Sequence, residues 1–97
     1  GPMNRKPVCV AYNEDEMVTR VTAFPGQEAV FVGFRDGAVQ LAELDETQNA
    51  LIISGTTGAE VTAIEVSGVS TQLFVGDAGG NVLWAPLQAG DSFAGNV

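Results

Sequence analysis

The apolar positions of this chain fall in short runs parted by small polar breaks. Residues 7–12, 18–24, 29–34, 38–44, 50–55, 61–66, 72–76 and 81–87 are rich in β-branched and aromatic side chains, the composition of strands. Turn formers stand between them: Pro25-Gly26, Asp36-Gly37, Thr56-Thr57-Gly58, Ser67-Gly68 and Gly79-Gly80. Asp-Gly and Gly-Gly supply the positive φ of a tight hairpin at little steric cost. No stretch keeps a helical apolar period for long. Only 38–44 alternates plainly, so most strands are expected to be covered on both faces. The pattern predicts an all-β chain.

The runs also repeat. F-V-G-F-R-D-G-A-V-Q-L-A-E-L at 31–44 returns as F-V-G-D-A-G-G-N-V-L-W-A-P-L at 74–87. Upstream, Val21-Thr22-Ala23 matches Val61-Thr62-Ala63, and ten of these 17 aligned positions are identical. On this alignment the second copy carries three extra residues within 64–73. A repeat of about 40 to 45 residues marks a unit that buries its faces by stacking on its neighbours. Small residues suit the narrow part of such a stack: Ala23, Gly33, Ala42, Ala63, Gly76 and Ala85.

The pattern V-T-A, then F-V-G, then D-G-x-V-x-L resembles the WD-repeat β-propeller family. In that family each repeat supplies a four-stranded antiparallel blade and the blades close into a ring. This chain departs from the family at several places. The Trp-Asp pair would fall on Ala42-Glu43 and Ala85-Pro86, Trp84 sits one position early, and there is no histidine. The hairpin Asp survives as Asp36 but is Gly79 in the second copy, so the side-chain tetrad that braces such blades is not expected. The resemblance implies two four-stranded antiparallel blades. A lead at 1–6 is followed by an outer strand and first copy at 7–47, an outer strand and second copy at 48–87, and a tail at 88–97. The outer strand at 7–12 would complete the last blade.

Composition narrows the field. The 97 residues allow one small domain, and 45% apolar with 16% charged residues reads as globular. Gly1-Pro2 before Met3 reads as a remnant of tag removal and is set aside. Neither a membrane-spanning helix nor a secretory leader is expected. A net charge of −8 repels phosphate, so neither nucleic acid nor an anionic membrane is an expected partner. The lone Cys9 permits no internal disulfide, which fits a reducing compartment and a cytoplasmic location.

No catalytic, cofactor or metal site emerges. Without histidine there is no Ser-His or Cys-His pair, and one cysteine is too few for zinc. Cys9 lies in an apolar run and is expected to be a buried, inert thiol. The acidic run Asn13-Glu14-Asp15-Glu16 lacks the glycine and the distant Glu of a calcium loop. Gly76-Asp77-Ala78-Gly79-Gly80-Asn81 lacks a Gly-Lys-Ser/Thr ending and reads as a hairpin. Phe31, Phe34, Phe74 and Trp84 have strand spacing that suits packing between sheets.

The expected function is therefore a non-enzymatic scaffold. As two blades bury too little alone, copies of the chain would complete a trimeric or tetrameric ring, with protein partners on its faces. The alternative is a small-molecule or catalytic site in a central channel. Convergence of Glu28, Arg35, Asp36, Glu60 and Asp77 would mark that second case.

Overall fold

The computed structural model describes residues 7, 9–10, 13–44, 50–55, 57–69 and 71–87. The described residues form seven strands: β1 (Val18–Ala23), β2 (Ala29–Phe34), β3 (Val39–Glu43), β4 (Ala50–Ile53), β5 (Val61–Ser67), β6 (Gln72–Asp77) and β7 (Val82–Pro86). They make two antiparallel sheets, β1-β2-β3-β4 and β5-β6-β7. No helix occurs among the described residues.

The all-β expectation is met, and against the expected four-plus-four strands the described residues form four plus three. β4 does join the sheet of the first copy, pairing Val39 with Ile53 and Leu41 with Ala50. At 7–12, the described Pro7, Cys9 and Val10 belong to no strand. Val8, Ala11 and Tyr12, like the lead at 1–6 and the tail at 88–97, lie outside the described residues.

Strand pairing also corrects the repeat. Val18 pairs with Phe34 and Val61 with Asp77; Arg20 pairs with Gly33 and Ala63 with Gly76. Each sheet has a register shift at that same place, between Val18 and Arg20 and between Val61 and Ala63. The counterpart of Val61-Thr62-Ala63 is thus Val18-Thr19-Arg20, and a single offset of 43 relates both copies throughout. There is no insertion within 64–73. The loops obey the same offset: Arg35 N donates to Met17 O as Ala78 N does to Glu60 O, and Leu44 N to Glu28 O as Leu87 N does to Thr71 O. Gly37 at φ +95° and Gly80 at φ +85° turn the two equivalent hairpins, a conformation that side-chain-bearing residues resist.

The main core lies between the sheets and includes Phe31, Val39, Leu41, Ile53, Val61 and Leu73. Phe24 stacks on Phe31 with ring centroids 4.9 Å apart. Burying a side chain of this size contributes about 1.5–3 kcal/mol relative to exposure. A smaller cluster of Val32, Phe34, Ala38 and Ala42 occupies the far side of the first sheet, with Val10 and Val30 packed against it.

Candidate functional site

The two sheets meet through one face of each. Cross-strand partners share a face, so Phe31 with Leu41 and Gly33 with Val39 line one side of the first sheet. Ile64 with Val75 and Leu73 with Ala85 line one side of the second. The approach is close. A Cβ on Gly33 would lie 2.5 Å from Val61 Cγ1 and 3.1 Å from Ile64 Cδ1, so only glycine fits there.

Side chains of β1 bridge this seam. Thr19 Oγ1 donates to Val61 O at 2.6 Å, with Gly33 O of its own sheet at 3.3 Å. Arg20 Nε donates to Thr62 O at 2.8 Å and its Nη1 to Thr19 O at 2.7 Å. Both acceptors across the seam are carbonyls of β5.

The constant offset identifies the equivalent, uncovered surfaces. On the second sheet, Phe74, Gly76, Val82 and Trp84 are the counterparts of Phe31, Gly33, Val39 and Leu41. Phe31, Val39 and Leu41 are buried, whereas Val82 is 77% and Trp84 62% exposed and Phe74 is half-buried. A Cβ on Gly76 would meet only Ala63 Cβ at 3.7 Å and Thr62 Oγ1 at 3.9 Å, both on its own sheet. The notch that Val61 fills at Gly33 is open at Gly76.

On the far side of the first sheet, the β1 end is the other unmatched surface. Val18 and Val21, the counterparts of the buried Val61 and Ile64, are 45% and 60% exposed. Gln40 shares that side with Val32, and its Oε1 is buried without a hydrogen-bond partner. Exposure on this side is confined to the β1 end, because Val32, Phe34, Ala38 and Ala42 are buried; exposed apolar surface such as that of Phe74, Val82 and Trp84 on the second sheet marks interaction sites. The molecule therefore carries one open apolar face, on the second sheet, and an exposed apolar edge at Val18 and Val21 of the first.

Asp77, named from the sequence as a channel candidate, is instead the polar centre of the second hairpin, a capping role that sequence reasoning missed. Its carboxylate accepts from Thr57 Oγ1 at 2.7 Å, from Gly79 N and Asn81 N at 3.0 Å each, and from Asn81 Nδ2 at 3.2 Å. The Thr57 hydroxyl, followed by the Asn81 amide, holds its pKa below the ordinary 3.8, because each donor favours the charged form. Asp36 plays a smaller part in the first hairpin, accepting from Ala38 N at 3.0 Å. The signal for Asp77 lay in its distance from Gly79 and Asn81, since an Asp side chain readily caps backbone N–H groups two residues on.

Arg35 Nε lies 3.3 Å from Glu16 Oε1, Asp77 is engaged as above, and Glu28, Asp36 and Glu60 are exposed. No group of three or more Asp, Glu, His or Cys suited to a metal ion forms among the described residues. The acidic run folds into a turn in which Asn13 Oδ1 accepts from Asp15 N at 3.0 Å. Residues 76–81 span the end of β6 and the hairpin to β7, as expected. Phe31 and Phe34 are buried as packing requires, but Trp84 is not. Cys9 is exposed, which overturns the expectation of a buried thiol. The expected strand would have given it a sheet to pack in, and the described residues beside it belong to none.

No helix of the described residues is long and apolar enough to cross a membrane. Comparison of the chain with protein-family models, curated proteins and solved structures finds no match.

Proposed function

We propose that the chain is a pair of propeller-type blades that acts as a non-enzymatic interaction scaffold and builds a ring from copies of itself. The observation that supports this reading is the constant offset. Two copies of one repeat stack in the same sense, the Phe31 face of the first on the Val61 face of the second. Such a stack has unlike ends, and contacts between unlike ends generate rings when the rotation closes. In this reading β4 is the outer strand of the first blade, and residues 7–12 supply the matching strand of another. Two blades per chain give a trimer of six or a tetramer of eight. Protein partners then dock on the flat faces of the ring.

Light scattering on the purified chain at micromolar concentration tests the proposal. A species three or four times the 10.0 kDa chain mass is expected. A monodisperse 10.0 kDa species would sink it, and a twofold particle would replace the ring by a paired, strand-swapped or face-to-face assembly.

A further inference from the structure

We infer that the open face of the second sheet is a docking site for the Val18/Val21 edge of a second copy of the chain, joined head to tail with β1 of that copy at Gly76 as β5 lies at Gly33 in the internal seam. The inference rests on the self-assembly reading above and names the surfaces that carry it.

Three observations converge on this occupant. The internal seam supplies the template, since Gly33 receives Val61 and Ile64. Their counterparts, the notch at Gly76 and the side chains of Val18 and Val21, are both unfilled, and they lie on opposite sides of the molecule. The third observation is polar. Thr62 Oγ1 donates to Gly76 O at 3.2 Å, just as Thr19 Oγ1 lies 3.3 Å from Gly33 O. Thr19 uses that posture to reach Val61 O across the seam. Thr62 is held in the same posture and exposed, so the carbonyl it would reach is Val18 O of the second copy.

The contact is not a full duplicate. Arg20, which bonds Thr62 O across the internal seam, corresponds to Ala63. A junction between copies thus lacks one charge-assisted hydrogen bond and is the weaker of the two. Val32, Phe34 and Ala42 on the same side are already buried, with Val10 packed against them, so Val18 and Val21 are the apolar side chains a second copy can reach there. The engagement is therefore at β1, whose counterpart β5 meets Gly33 in the internal seam.

The test uses two single substitutions of the full chain and their mixture, followed by sedimentation velocity. Gly76→Val fills the notch with a side chain whose Cβ meets only ordinary contacts in the isolated chain. Val21→Arg alters an exposed position on the opposite face. The wild type is expected to assemble and each variant alone to be monomeric. An equimolar mixture is expected to give a capped 1:1 dimer, because each variant retains the face that the other has lost. Circular dichroism checks folding, and Trp84→Glu, at an exposed position, replaces Gly76→Val if that variant fails to fold. Assembly that survives Val21→Arg overturns the inference, because pairing of two second-sheet faces or of strand edges would not need Val21. Assembly that survives both substitutions overturns these surfaces while the scaffold reading stands. A wild type that stays monomeric overturns both.

Discussion

Asp77 occupies the position that Phe34 holds in the first copy, so one hairpin end is apolar and the other is a charged, fully engaged cap. Its pKa lies below 3.8 in the folded chain, so folding binds the charged form more tightly than the unfolded chain does. The resulting stabilisation is complete above the unfolded value and is lost as pH falls through the folded one. Thermal midpoints by circular dichroism should drop in acid below pH 3.8. Asp77→Asn should be less stable at neutral pH and lose less on acidification; parallel pH profiles for the two proteins would refute the assignment. Val69 makes a second residue-scale case. It has φ +50° and stands where the first copy has Gly26 at φ +80°. A β-branched residue in the left-handed region costs about 1–2 kcal/mol. Val69→Gly is therefore expected to raise stability by about 1 kcal/mol in urea denaturation, since glycine returns part of the gain as chain entropy. An unchanged or lowered midpoint would show that the turn carries no such strain.

At the scale of elements, the equivalent glycines of β2 and β6 should respond oppositely to the same change. Gly33→Ala places a methyl 2.5 Å from Val61 Cγ1 and should cost about 1–3 kcal/mol by overpacking. Gly76→Ala meets nothing nearer than 3.7 Å, so equilibrium unfolding of the dilute chain should find it neutral or slightly stabilised. Equal losses at both sites would mean that Gly76 is already covered. The strands themselves were legible in the sequence because turn formers bracket them; β2 begins and ends at the expected residues. The offset was not legible, because V-T occurs twice in the first copy. Letters favour Val21-Thr22, whereas the ladder selects Val18-Thr19, and a register shift in mid-strand leaves no mark in composition. Residues 7–12 have strand composition, but composition does not name a partner strand. Trp84 shows the same limit from the other side. Its strand was read correctly and its burial was not, because periodicity gives a side chain a face and says nothing of what covers that face.

For the whole molecule, the proposed junction sets apolar complementarity against charge. Each copy carries −8, so copies repel at long range, and screening shortens that repulsion from about 10 Å in 0.1 M salt to about 3 Å in 1 M. Assembly through the proposed faces should therefore increase with ionic strength, the reverse of a charge-steered contact. The same logic separates charge from geometry at Ala63, the position where the internal seam has Arg20. Ala63→Arg should restore a donor to Thr19 O of the second copy, as Arg20 Nε donates to Thr62 O within one chain. A hydrogen bond from a charged donor contributes about 1.5–3 kcal/mol, or on the order of tenfold or more in the association constant. Ala63→Lys adds the same charge without a planar guanidinium to match the internal bond. In low salt both variants should assemble more tightly than the wild type, because each lessens the repulsion. In 0.5 M salt that shared gain should fade while the arginine retains its advantage in sedimentation equilibrium. If arginine and lysine instead converge on the wild type at high salt, position 63 faces no carbonyl of a neighbouring copy, and the internal seam is not the template of the junction.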